Sequence, residues 1–116
     1  VNTSIVHRSG LPKASIYGAS KAAAWQLTRH TSQEWAPRGI RVNAISPGPI
    51  DTPVFRTLGM TPEAVDEMLE RFASEIGLGR VGQPEEVAAA TLFLLSDQAA
   101  FVTGAEWVID GGMSAR

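Results

Sequence analysis

Apolar residues recur along this chain with two spacings, and each change of spacing marks an element boundary. "VNTSIV" (Val1–Val6) is a short β-prone run followed by the Gly- and Pro-bearing loop "HRSGLPKAS". From about Ser15 to Ala36 the spacing becomes helical. Tyr17, Lys21, Ala24, Leu27 and Thr28 fall on one face of a stretch rich in Ala, Lys, Gln and Glu. Ser15 is the expected N-cap, and Pro37 with Gly39 supplies the stop. "IRVNAIS" (Ile40–Ser46) then reads as a strand, apolar enough to be buried in a parallel sheet, and "PGP" ends it.

In the second half, Thr61 is placed to cap a helix with Pro62 at its first position. Val65, Met68, Leu69, Phe72 and Ile76 form its apolar stripe. "QPEEVAAATLFLL" starts another helix, with proline in the first turn and acids beside the positive helix end. "GAEWVID" (Gly104–Asp110) is a final strand closed by "GG". The order β-α-β-α-α-β, with helices between strands, predicts an α/β fold with a parallel sheet and right-handed crossovers.

Composition adds mainly exclusions. With 116 residues, 44% hydrophobic and 19% charged, the chain suits one globular domain with a real core. A net charge of −2 without a basic block argues against nucleic acid as a partner. The longest apolar run, "VAAATLFLL", has 9 residues, too few to cross a bilayer. No cysteine is present, and His7 and His30 stand far apart, so no metal site is expected. The expected setting is cytoplasmic.

"GLGRVG" (Gly77–Gly82) matches the dinucleotide pattern G-x-G-x-x-G, with Asp97 20 positions after its first glycine. A phosphate loop must leave a strand and enter a helix, because the sheet aims it at the pyrophosphate. This segment leaves a helix, and Asp97 ends the next helix, so the glycines read as a helix–helix break. The chemistry points elsewhere. Tyr17, the only tyrosine, precedes Lys21 by 4 residues in "YGASK", which puts phenol and ammonium on one helical face. A nearby cation favours the phenolate, which suits a tyrosine to exchange a proton with a carbonyl or alcohol. Ser4, at the end of the first strand, is within reach of the same oxygen, where open α/β sheets place ligands.

These segments together resemble the short-chain dehydrogenase/reductase family. "YGASKAA" is similar to its Tyr-x-x-x-Lys segment, and Ser4 stands 13 residues before Tyr17, the place of its serine. "RVNAISPGPIDTP" resembles the strand and Pro-Gly loop, and "GRVGQPEEVAAATLFLLSDQAAFVTGAEWVIDGG" the C-terminal region. The resemblance implies a Rossmann-like doubly wound parallel sheet and an NAD(P)-dependent interconversion of a secondary alcohol and a ketone, with NAD or NADP as cofactor. In that reading Tyr17 is the general acid/base, Ser4 hydrogen-bonds the reacting oxygen, and Lys21 holds the nicotinamide ribose. Pro47, Gly48 and Ile50 line the nicotinamide end, and Thr52 meets the carboxamide or the nearby phosphate. Val54, Phe55, Leu58, Met60 and Met68 belong to a substrate-covering segment, Val54–Ile76. A homodimer or homotetramer is implied, with a small-molecule substrate and neither a nucleic-acid nor a membrane partner.

The match begins near the middle of the family's pattern. The T-G-x-x-x-G-x-G phosphate loop, a catalytic asparagine and the residue selecting NAD or NADP have no counterpart here. The chain is therefore expected to form the C-terminal part of the domain, with exposed helix faces, and to be inactive as an isolated 116-residue segment. The competing expectation is a non-catalytic oligomerisation or binding module.

Overall fold

In the computed structural model, which describes residues 1–115, the first long helix, α1, spans Ser15–Trp35. It stops as the sequence implies: a single 3-10 turn, Ala36–Arg38, leads to Gly39 at φ 72°, a conformation that only glycine adopts without cost. Its start differs from expectation. Gly18 N–H reaches the Ala14 carbonyl at 2.7 Å, so Ala14 is the cap residue and Ser15 already lies inside the first turn.

The sheet is shorter than the sequence suggests. β1 is Ala44–Pro47 and β2 is Glu106–Ile109, paired in parallel from Ala44 opposite Glu106 to Pro47 opposite Ile109. On the other side of β1, Asn2 pairs in parallel with Ile45, and Thr3 N–H donates to the Ile45 carbonyl at 2.8 Å. β1 is thus the middle of three parallel rows. The expected strand Val1–Val6 contracts to this one bridge because Ser4 Oγ accepts the Val6 N–H and starts a 3-10 turn over Ile5–Arg8. The expected strand Ile40–Ser46 loses its first four residues for a similar reason. Asn43 Nδ2 donates to the Val102 carbonyl at 2.8 Å and Asn43 Oδ1 accepts from Ala105 N–H at 3.0 Å. Side-chain bonds there replace a backbone ladder. The expected strand Gly104–Asp110 likewise keeps only its middle.

α2, Pro62–Glu75, starts where expected, with Thr61 Oγ1 accepting the Ala64 N–H at 3.3 Å. Of its apolar stripe, Val65 and the following Ile76 are buried, and Met68, Leu69 and Phe72 are half-buried. α3 spans Pro84–Leu95, and Phe93 stacks on Trp107 of β2 with centroids 5.1 Å apart. α1 packs through small polar residues: Thr28 and Ser32 are fully buried and bond carbonyls of their own helix.

The large apolar residues Ile16, Leu27, Leu92, Leu95 and Phe101 remain exposed. The accessible surface is 7619 Å², against about 6,100 Å² for a monomer of this mass. The radius of gyration is 15.5 Å, against about 13 Å for a domain of this length. α1 and α3 therefore carry apolar faces that no described residue covers. No helix among the described residues is long and apolar enough to cross a membrane.

The start of α3 carries a titratable device. Arg80 donates twice to the Glu86 carboxylate, at 2.8 and 2.7 Å, and Gln83 N–H donates at 2.7 Å. The bidentate bond from Arg80, then the amide, lowers the Glu86 carboxyl from its ordinary 4.5 to about 2. A depressed carboxylate stabilises the fold fully above its ordinary value and loses that contribution as the pH falls towards the depressed one. Glu86→Gln is expected to lower Tm modestly at neutral pH, with the gap to the parent closing between pH 4.5 and about 2. A gap that stays constant across that window would contradict the linkage.

Candidate active site

Ser4 follows directly on the paired edge row and is buried. Its backbone is extended, at φ −168° and ψ 150°, and its Oγ accepts from Val6 N–H at 3.3 Å. One lone pair is thereby engaged, while the hydroxyl proton stays free to be donated.

α1 meets this turn on both sides of Ser4. A Cβ added at Gly18 would lie 3.4 Å from the Val6 carbonyl oxygen and 3.6 Å from Val6 Cγ1, so the helix approaches the turn closely there. One turn on, Lys21 Nζ donates to the Asn2 carbonyl at 3.1 Å. The helix thus touches the backbone two residues before Ser4 and two residues after it. Tyr17, adjacent to Gly18 and one turn from Lys21, is 50% exposed. Lys21 Nζ stands over its ring, 5.5 Å from the centroid, a cation–π arrangement that the four-residue spacing produces.

The third wall comes from the end of β1. Gly48 N–H continues the ladder by donating to the Ile109 carbonyl at 2.9 Å. A Cβ on Gly48 would lie 2.7 Å from Asp110 Cβ and 3.5 Å from Ile5 Cδ1. Pro47–Gly48 is therefore held between the end of β2 and the turn that carries Ser4. Ile50 pairs with Gly82, and Asp51 N–H donates to the Gly82 carbonyl at 2.9 Å. Thr52 precedes the 3-10 turn Pro53–Thr57 without making a side-chain capping bond, which leaves its hydroxyl available. Ser4, Pro47 and Gly48 lie at the C-terminal ends of the parallel rows, α1 sets Lys21 against the first row with Tyr17 one turn earlier, and Ile50 and Thr52 lie on the loop that leaves β1.

The glycines of "GLGRVG" are differently occupied. Leu78 N–H donates to the Gly111 carbonyl, Gly79 N–H to Ile76 and Gly82 N–H to Pro49. A phosphate cradle needs free amides, and these three are bonded within the protein. Partial burial pushes the nearby Asp110 carboxyl up. The Ser114 hydroxyl, with the amides of Ser114, Gly112 and Met113, outweighs this and holds it below its ordinary 3.8.

Two contributors escape a reading of the sequence. The Asn2 partner of Lys21 is a backbone carbonyl, which no side-chain pattern reveals. The second is a cluster beside Ser4: His7 and Arg8 both meet Glu106 of β2, 98 residues beyond Arg8. No local spacing signals it.

Comparison with known proteins gives a consistent result. A family profile described as "Enoyl-(Acyl carrier protein) reductase" matches residues 1–114. The chain is 42% identical over 106 residues to 2-(S)-hydroxypropyl-CoM dehydrogenase 3 of Xanthobacter autotrophicus, covering 91% of this chain and 42% of that protein. It is 46% identical over 117 residues to 3beta-hydroxysteroid dehydrogenase 1 of Eggerthella lenta, covering 98% of this chain and 42% of that protein. A solved short-chain dehydrogenase/reductase of unknown function from Caenorhabditis elegans, with cofactor, superposes with a TM-score of 0.91 at 36% identity. That match covers 98% of this chain and 44% of the other. The chain thus spans less than half the length of these relatives.

Proposed function

The chain belongs to the short-chain dehydrogenase/reductase family and has its Rossmann-type α/β fold, and from that premise we propose that it carries the catalytic face of an NAD(P)-dependent oxidoreductase interconverting a secondary alcohol and a ketone. The observation that carries this reading is the convergence of α1 on the Ser4 turn: Lys21 bonded to Asn2, and Gly18 packed on Val6. Tyr17, Lys21 and Ser4 are then the reacting set. A scaffold that served only for oligomerisation or binding has no need of all three together.

A bound nicotinamide supplies or accepts the hydride. Tyr17 gives its phenolic proton to the carbonyl oxygen during reduction and takes a proton from the hydroxyl during oxidation. Ser4, with Val6 N–H on one lone pair, donates its own O–H to the same oxygen and fixes its position.

The donor set fits the nicotinamide end of the cofactor. Lys21 Nζ gives one of its three N–H groups to Asn2 and retains two for ribose hydroxyls. Pro47, Gly48, Ile50 and the uncapped Thr52 hydroxyl border the same end. The bonded amides of "GLGRVG" do not fit a pyrophosphate, so that contact falls to residues outside this set. The segment that follows the site loop, with exposed Val54, Leu58 and Met60 and with Phe55 packed 6.1 Å from Phe72, offers an apolar wall. This favours substrates with an apolar body over a free sugar.

The test is made on the natural protein that carries this chain, by titrating NAD and NADP and following the reduced nicotinamide with secondary alcohols. Lys21→Met is expected to raise the dinucleotide KM at least about tenfold, the cost of one charged hydrogen bond. An unchanged KM would remove Lys21 from the cofactor site.

A further inference from the structure

We propose that His7 is a positioning residue for Ser4, clamped in place by Glu106 of β2 and Arg8. The inference rests on the reading above, in which Ser4 touches the reacting oxygen.

The Ser4 carbonyl accepts two bonds from the same residue. The backbone N–H of His7 donates at 3.3 Å, a long 3-10 contact, whereas His7 Nδ1 lies at 2.5 Å. The imidazole thus adds a side-chain hold on the Ser4 peptide to the backbone one. A carbonyl only accepts, so Nδ1 carries the proton. The rest of the ring is also fixed. Nε2 accepts from Arg8 Nε–H at 3.3 Å and stands 3.2 Å from Glu106 Oε1, and Arg8 Nη2 donates to Glu106 Oε2. The side chains of His7 and Glu106 are 6% and 3% exposed.

A carboxylate buried to that degree requires a cationic or donor partner, and Arg8, itself bonded to the His7 ring, supplies it. Oε1 makes no aligned hydrogen bond among the described residues, and the His7 ring stands 3.2 Å from it. The path of the clamp matters. Glu106 sits on β2, the Ser4 turn follows the opposite outer row, and β1 runs between them with buried Ala44 in register with Glu106. The pair ties the serine turn across the sheet to the strand that also holds Gly48. It fixes the Ser4 peptide plane and, through it, the direction of Cα–Cβ and of Oγ.

The test uses the natural protein carrying this chain, with cyclohexanol and NAD or NADP as probes, and two substitutions that separate the ring nitrogens. Asn at position 7 can reproduce the Nδ1 donor, and Gln reproduces only the Nε2 side. His7→Ala and His7→Gln are expected to lower kcat about tenfold with the dinucleotide KM unchanged, and His7→Asn to restore it to within about twofold. In a Ser4→Ala background His7→Ala should cost nothing further, because the group it positions is gone. Additive losses, or equal kcat values for the Asn and Gln variants, would overturn the role of His7. An unchanged kcat in Ser4→Ala would instead defeat the reading of Ser4. The imidazole ¹⁵N spectrum gives a readout that needs no turnover: a proton on His7 Nδ1 supports the clamp, and a bare Nδ1 refutes it.

Discussion

Tyr17→Phe is expected to lower kcat by about 10²–10⁴-fold, the range that positioned acid–base groups contribute, while leaving Tm and dinucleotide affinity nearly unchanged. The substitution removes one hydroxyl and keeps the ring. The ring is half exposed, so little buried surface is at stake, and Lys21 retains both the ring face and its bond to the Asn2 carbonyl. The loss should therefore appear in the proton-transfer step alone. Single-turnover rates with cofactor bound, compared with dinucleotide KM, make the separation. A variant that turns over within a few-fold of the parent would remove Tyr17 as the acid/base. A variant that loses cofactor affinity instead would make its role one of binding.

Gly48→Ala is expected to cost about 1–3 kcal/mol of stability, as for an overpacked core, seen as a fall of several degrees in Tm. The added methyl would meet Asp110 Cβ at 2.7 Å and Asp110 Cα at 3.0 Å. Neither atom can give way cheaply. Gly48 is tied to Ile109 by its own N–H, and the Asp110 carboxylate is held by Gly112 N–H, Ser114 N–H and the Ser114 hydroxyl. On the opposite side lies Ile5, next to Ser4, so strain relieved in that direction shifts the serine and lowers kcat as well. Gly10→Ala is the control: nothing lies within 4 Å of its added Cβ, and the change should be neutral or slightly stabilising. Equal Tm values for the two variants would show that the ends of the strands are looser than their geometry implies.

Much of this arrangement was legible in the sequence, for local reasons. The stop of α1 at Pro37 and Gly39, the Thr61 cap and the stripe of α2 depend on residues within one or two turns of each other. So does the placing of Tyr17 and Lys21 on one face, which follows from helical spacing alone. The order of the elements and the parallel pairing followed from strands separated by helices. Even the rejection of "GLGRVG" needed only its position after a helix, and the bonded amides supply the reason in atomic terms. The family followed from several ordered motifs taken together.

What the tertiary structure decided is everything that depends on partners distant in the chain. Strand lengths fell short because Ser4 and Asn43 spend side-chain bonds on backbone groups that the pattern assigned to a ladder. Ser46 is fully buried with its hydroxyl unpartnered among the described residues, which its place in an apolar run does not reveal. Gly48 looked like part of a strand terminator, and only the approach of Asp110 and Ile5 shows why a side chain is excluded there. His7 and Glu106 share no signal in the sequence, and only folding buries their side chains together beside Ser4. Periodicity encodes which face a residue occupies, because each element repeats its own geometry. It cannot encode what stands opposite that face, because that depends on how separate elements pack.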